Sequence, residues 1–262
     1  MRITFFGTGS CMPSPKTSKI HRSYTGWGIK IGNDSLLFDI GGGVLQKMSY
    51  NGIDVIKEPT HLFISHFHPD HCSDVLALLQ GRIVANLKFK VDPIFIAGPQ
   101  GLNQFFKELF EVTKWQSYKE LGAPKLMDLH EIEKGLVRKT KNWKVSASPI
   151  EHFDGVCYKL EVGEKIIIYS GDMAYDERIS EFGKNADIAI LECSYPDKKS
   201  LKGKHLTPED IGKLAKLGNF KKVVLTHMYP ECEGREDEML KKIKEIADTE
   251  VVVAYDNFQL TI

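Results

Sequence analysis

No stretch of this 262-residue chain stays apolar for the roughly 18 residues that would suggest a membrane span. The start, Met1-Arg2-Ile3-Thr4-Phe5-Phe6, runs straight into Gly7-Thr8-Gly9-Ser10 and lacks the longer apolar core and cleavage site of a secretory leader. Net charge is missing too: 35 Lys and Arg balance 35 Asp and Glu, so no global field draws the chain to nucleic acid or a membrane. Local basic patches stay open. The five cysteines, Cys11, Cys72, Cys157, Cys193 and Cys232, are an odd number without paired spacing. That argues against a disulfide framework and reads as reduced thiols in a cytoplasmic protein. There is no repeat of fixed period and no low-complexity segment. Apolar content of 42% and charged content of 27% are those of an ordinary soluble protein with a substantial core, and the length fits a single domain over 1–262.

Two kinds of segment alternate along the chain. Met1 to Phe6 reads as a strand, and Tyr24 to Ile31 with Ser35 to Asp39 reads as a hairpin turned at Gly32-Asn33-Asp34. Short helices are expected at Val44 to Tyr50, Ser73 to Asn86, and from Leu102 through Phe105, Phe106 and Leu109. Between Trp115 and Lys144 the pattern is weak, with two short strands. A meander follows at Trp143 to Ile150, Val156 to Val162 and Lys165 to Tyr169, and Asp187 to Glu192 is a further strand. Thr207-Pro208-Glu209-Asp210 is a helix start, with Thr as N-cap, Pro at the first helical position and acids in the first turn. Lys222 to Thr226, a helix at Glu236 to Ala247, and strands at Val251 to Tyr255 and Phe258 to Ile262 complete the chain. Strand meanders in both halves, each followed by strand-helix units, predict an α/β fold of two mixed sheets packed face to face with helices outside.

The chemistry concentrates at Thr60-His61-Leu62-Phe63-Ile64-Ser65-His66-Phe67-His68-Pro69-Asp70-His71. A short apolar strand, His61 to Ile64, delivers three imidazoles and a carboxylate within six residues. Imidazole and carboxylate are the ligands a borderline cation such as zinc prefers. His66 and His68 lie on one side at alternate positions, while Asp70 and His71 turn toward a second point, which suits two metals better than one. Three further strand ends offer the same ligand types. They are His152 after Ile150-Glu151, Asp172 after Tyr169-Ser170-Gly171, where a carboxylate could bridge two metals, and His227 after Leu225-Thr226.

These residues resemble the metallo-β-lactamase superfamily, and within it the ribonuclease Z-like branch of zinc phosphodiesterases. The resemblance rests on Phe5-Phe6-Gly7-Thr8-Gly9-Ser10, Phe38-Asp39-Ile40-Gly41, His66-Phe67-His68-Pro69-Asp70-His71, His152, Gly171-Asp172, Leu191-Glu192, Lys204-His205 and Leu225-Thr226-His227. It implies a four-layer αβ/βα sandwich with a dimetal site at one edge, between the sheets. By analogy His66, His68 and His152 bind one Zn2+, and Asp70, His71 and His227 bind the other, with Asp172 bridging. Mn2+ or Fe2+ can occupy similar sites. Asp39 would fix a ligand imidazole by a hydrogen bond. The implied catalytic residues are Asp70, His205 and Glu192, with a metal-bridging hydroxide as nucleophile and the His205–Glu192 pair as general acid.

The sequence departs from the tRNA 3′-processing enzymes at two places. Their long tRNA-gripping arm follows the strand-end histidine, whereas His152 to Asp172 has room only for a strand pair. Their His-Glu-Ala-Thr run stands here as Leu191-Glu192-Cys193-Ser194, keeping only the acid. The expected activity is therefore a zinc-dependent phosphodiesterase acting on a small phosphodiester or RNA-type substrate. Alternatives are a carboxylic ester, lactone or thiolester hydrolase on the same dimetal site, or a 3′-pre-tRNA endoribonuclease. Lack of a C-terminal helical domain argues against the thiolester class, and His68 in place of Glu argues against an oxygen- or nitric-oxide-reducing di-iron protein. A non-catalytic scaffold would be expected to lose ligands, and all seven are kept. No membrane partner is expected, and a homodimer is common among such relatives. The run Lys198-Lys199-Ser200-Leu201-Lys202-Gly203-Lys204 would suit a phosphate-bearing substrate.

Overall fold

Alternation along the strands sorts their side chains onto two buried faces. In Asp34–Phe38, Leu36 and Phe38 enter one apolar cluster while Leu37 enters another. Ile94–Pro99 divides in the same way, with Phe95 and Ala97 on one side and Ile94 and Ile96 on the other. Strands buried on both faces need a layer on each side, so the sheets face each other and helices cover their backs. The computed structural model, which describes residues 1–14, 20–114, 123–197 and 204–262, has that arrangement.

The first half opens with antiparallel strands β1 (Arg2–Gly7), β2 (Gly26–Ile31) and β3 (Asp34–Phe38). It continues with parallel strands β4 (His61–Phe63), β5 (Ile94–Pro99) and β6 (Met127–Ile132). Helices α1 (Val44–Tyr50), α2 (Pro69–Cys72), α3 (Val75–Asn86) and α4 (Leu102–Val112) connect them. The second half repeats the scheme. β7 (Gly135–Lys139), β8 (Trp143–Pro149), β9 (Val156–Val162) and β10 (Lys165–Tyr169) are antiparallel neighbours. β11 (Ile188–Glu192), β12 (Lys222–Thr226) and β13 (Glu250–Val253) run parallel, with α5 (Arg178–Phe182), α6 (Pro208–Gly218) and α7 (Glu236–Ile246) between strands. The last strand, β14 (Gln259–Thr261), returns to pair with β1, so each sheet has seven strands.

Three expectations are refined. The helix expected over Ser73 to Asn86 is preceded by a separate turn, Pro69–Cys72, and starts at Val75. At the break, the Asp74 carboxylate accepts the backbone N–H groups of Gly43 and Leu45, at the start of α1. The two strands in the weak Trp115 to Lys144 region are β6 and β7, each at the edge of its sheet; β6 is half-buried and β7 mostly exposed, which explains their faint apolar signal. Residues 115–122 of that region lie outside the described residues. The two closing strands end in different sheets.

Phe38 sits at the centre of the inter-sheet layer. Its ring stacks on Trp27 with centroids 4.2 Å apart and on Phe63 at 4.9 Å, and meets Tyr158 edge-on at 5.7 Å. Removing a fully buried phenyl ring leaves a cavity as well as forfeiting transfer energy. Phe38→Ala is therefore expected to cost about 3–5 kcal/mol of unfolding free energy, read from urea denaturation. A loss below about 1 kcal/mol would contradict this account of the core.

Candidate metal centre

Parallel strands leave their carboxyl ends along one rim, where ligands of α/β sheets are held. Asp39 follows β3, His66 and His68 follow β4, Asp172 follows β10, Glu192 ends β11, and His227 follows β12; His152 follows the antiparallel β8. Local geometry makes the convergence specific. His68 is the N-cap of α2 with Pro69 at its first position, so the chain turns between His68 and Asp70 and aims them apart. Gly41 lets this turn close on the sheet, because a Cβ there would lie 2.1 Å from the Asp70 carbonyl oxygen. Asp39 and His227 both hold left-handed backbone, at φ 58° and 56°. Such conformations cost about 1–3 kcal/mol each in a non-glycine residue and persist where packing over-determines them.

The seven expected ligands fall into the two expected groups. His66, His68, His152 and Asp172 each offer one ligand atom within 4.8 Å of the others, and so do Asp70, His71, Asp172 and His227. Asp172 belongs to both. Its Oδ1 lies 3.1 Å from His71 Nε2 and 3.2 Å from His227 Nε2, while its Oδ2 lies 3.8 Å from His66 Nε2 and 3.9 Å from His152 Nε2. The carboxylate is only 2% exposed. Nε2 of His66, His71 and His152, together with Asp172 Oδ1, are buried atoms that meet the geometry of no hydrogen bond. Buried polar groups are almost always partnered. Orphaned nitrogens and a carboxylate oxygen facing one small volume are what a divalent cation would satisfy, and the donor set fits one. Cavities of about 290 and 590 Å³ beside Lys30 and Tyr255 hold none of these residues.

A second layer of side chains fixes the imidazoles. Asp39 Oδ2 takes a hydrogen bond from His71 Nδ1 at 2.7 Å and from Ser65 Oγ at 2.8 Å, and is also bonded by Tyr169 Oη. Ser65 Oγ in turn lies 3.0 Å from His66 Nδ1. Across the site, Glu192 Oε2 accepts Ser194 Oγ, which lies 2.9 Å from His227 Nδ1, and Glu192 Oε1 lies 2.9 Å from His205 Nδ1. Engaging Nδ1 leaves Nε2 of His66, His71 and His227 pointing at the shared volume. Asp39 and the His205–Glu192 pair stand where the sequence places them, bonded as expected. Ser65, Tyr169 and Ser194 carry no such signal in the sequence, and Glu192-Cys193-Ser194 keeps a hydroxyl as well as the acid.

Electrostatics favour the ligand-ready form at Asp172, Asp70, His66 and His152, with His71 the exception. Burial would raise the Asp172 pKa, but His227, His71 and His66 hold it well below the usual carboxylate range. Asp70 is held down, against burial, by His227 and His71. Burial and neighbouring imidazoles keep His66 neutral, and burial does the same for His152. Burial opposes charge on His71 as well, yet Asp172 and Asp39 lift its pKa well above the ordinary value, so a cation arriving there would displace a proton. His205 lies beside both groups, its Nδ1 4.0 Å from Asp172 Oδ2 and its ring centroid 5.3 Å from that of His152 and 5.7 Å from that of His227. A third ligand-type cluster joins it to Glu192 and His227. The fold supports its position, since Thr207 and Asp210 form a capping box two residues beyond it, at the start of α6. Of the lysine run, Lys198 to Gly203 lies outside the described residues, and Lys204 is exposed.

A shared carboxylate predicts shared loss. Asp172→Ala is expected to lower the divalent metal held after dialysis at both groups together, by mass spectrometry of the folded protein. Retention of the wild-type metal content would contradict a bridging position.

The family described as "Beta-lactamase superfamily domain" matches residues 35–228. Ribonuclease Z of Methanothermobacter thermautotrophicus is 25% identical, covering 87% of this chain and 86% of its own, and that of Methanosarcina acetivorans is 26% identical, covering 100% and 98%. The human short-form tRNase Z has the same fold, with a TM-score of 0.78 and 22% identity over 100% of this chain and 99% of its own. With seven-stranded sheets face to face and the histidine-rich rim between them, the chain belongs to the beta-lactamase superfamily.

Proposed function

We propose that this chain, acting as a single domain, is a zinc-dependent phosphodiesterase of the ribonuclease Z type that holds two metal ions. The observation that carries the reading is the Asp172 carboxylate, whose two oxygens each face a separate group of imidazoles. Two divalent cations held by these residues would activate water as a nucleophile near neutral pH and neutralise charge on the phosphate. Zinc is favoured by the nitrogen-rich donor set, although Mn2+ or Fe2+ suits similar ligands.

The protein's own groups supply the proton traffic. Burial disfavours charge on His205, but Glu192 at 2.9 Å overcomes it and raises the pKa to about 9. Two nearby dications would pull that value back toward neutrality, where a general acid works best. Glu192 holds Nδ1, so Nε2 is the position that protonates the departing oxygen. The buried, ionised Asp70 is the carboxylate available to a proton from attacking water. Tyr195 and Tyr229, stacked at 4.8 Å, wall the His205 side of the site.

The curated relatives named ribonuclease Z support an RNA-type substrate. A smaller phosphodiester is the second reading, favoured by one observation: His152 to Asp172 is taken up by a turn and the β9–β10 hairpin. Alignment with the Methanothermobacter enzyme runs over 281 positions yet covers 87% of this chain, so the relative carries residues without counterpart here. No described helix is long and apolar enough to cross a membrane. Five free cysteines, four of them buried, support a reducing cytoplasmic setting. A homodimer remains part of the proposal, tested by sedimentation.

The test is a side-by-side assay of the zinc-loaded protein on bis-p-nitrophenyl phosphate, a 3′-extended pre-tRNA and an acyl-lactone. Phosphodiester cleavage is expected, and His205→Ala should lower kcat by about 10²–10⁴ with KM little changed. Turnover of the lactone alone would overturn the proposal.

A further inference from the structure

Phe153 belongs to none of the three apolar clusters that form the core. It follows the candidate ligand His152, is 72% exposed, and is among the most exposed aromatic residues of the described chain. Its ring centroid lies 4.8 Å from that of His68 and 4.9 Å from that of His152, so the phenyl ring borders the metal-ligand cluster directly. Among the described residues, its aromatic neighbours are those two imidazoles.

The backbone that presents this ring is strained and fixed. Phe153 and Asp154 both adopt left-handed conformations, at φ 41° and 57°. Two consecutive non-glycine residues in that region are uncommon, and such strain collects at functional sites. The turn is held at both ends. Gly155 N–H donates to the His152 carbonyl at 2.7 Å, and Val156 N–H donates to the Ser65 carbonyl at 2.9 Å, which ties the turn to the same loop that carries His66. Gly155 has no room for a side chain, since a Cβ would lie 2.9 Å from the His152 oxygen and 3.2 Å from the Ser65 oxygen. An exposed phenyl ring is therefore held ready on a rigid support rather than left on a loose loop.

Charge around the ring selects what it takes. The exposed carboxylates Glu151 and Asp154 flank it, so a phosphate would be repelled there while an uncharged flat ring would not. We infer that Phe153 is a stacking platform for the nucleobase next to the phosphate held at the metal cluster, and that it makes the site prefer nucleotides over base-free phosphodiesters. This rests on the phosphodiesterase reading above. Base–aromatic stacking tolerates every base, because each has a flat face, so the preference is for a base rather than for a sequence.

The test separates binding from turnover. Binding of adenosine 5′-monophosphate and adenosine 3′-monophosphate to the zinc-loaded protein is compared with that of the matching ribose phosphates by calorimetry. At least one nucleotide is expected to bind about 10-fold more tightly than its base-free partner. That advantage should vanish in Phe153→Ala and return in Phe153→Trp, with metal content unchanged throughout. In turnover, Phe153→Ala should raise KM for a dinucleoside monophosphate about 10-fold with little change in kcat, and should leave its abasic analogue unaffected. Equal affinity for nucleotides and ribose phosphates in the wild type, including no binding of either, overturns the inference, as does an equal loss on both substrates in Phe153→Ala. Absence of any phosphodiester turnover with the nucleotide preference intact would instead overturn the phosphodiesterase reading and leave the platform standing.

Discussion

A single buried carboxylate ties this molecule together. Asp172 reaches His71 and His227 with one oxygen and His66 and His152 with the other, joining residues delivered by both sheets. An ionised carboxylate this deep would be costly if alone. The imidazoles around it hold its pKa down, and the same arrangement leaves several nitrogens without hydrogen-bond partners. The sheets must therefore meet at the height and angle that bring these groups to one point. The Phe38, Trp27, Phe63 and Tyr158 cluster between them sets that separation. Tyr158 also donates its hydroxyl to the Ile64 carbonyl at 2.7 Å, linking the aromatic layer to the strand that carries the histidine loop.

The supporting layer repeats on each side of the site. On the first sheet, Asp39 holds Ser65 and His71; on the second, Glu192 holds Ser194 and His205. In both, a carboxylate takes a serine hydroxyl whose oxygen lies against the Nδ1 of a cluster histidine. The matching chemistry follows from matching topology, in which antiparallel strands lead into parallel strand-helix units twice along the chain. Where the halves differ is His205: Glu192 orients a histidine that belongs to neither of the two groups sharing Asp172, and this is the imidazole proposed above to move a proton.

Much of this was legible in the sequence because most of the candidate ligands follow a short apolar strand, and Asp70 and His71 stand only a turn further on. Short continuous apolar runs mark such strands, which are buried on both faces, and a histidine or aspartate just beyond one stands out against apolar neighbours. His66 to His71 carries that signal at its strongest. The serines could not be read in the same way. A hydroxyl is common in turns, and only the tertiary fold brings Ser194 against His227, 33 residues away. Tyr169 looked like a core aromatic and is one, but its hydroxyl also bonds Asp39. Edge strands β6 and β7 were faint for a different reason, since a strand with no fully buried residue has little apolar pattern to show. Phe153 was invisible because an aromatic residue is ordinarily assigned to the core.

The most direct test of the account is a zinc titration of chelator-stripped protein, followed through hydrolysis of bis-p-nitrophenyl phosphate. Activity is predicted to be absent in the stripped protein and to rise until two equivalents per chain are bound. Full activity without added metal, or no activity once two equivalents are bound, would contradict it.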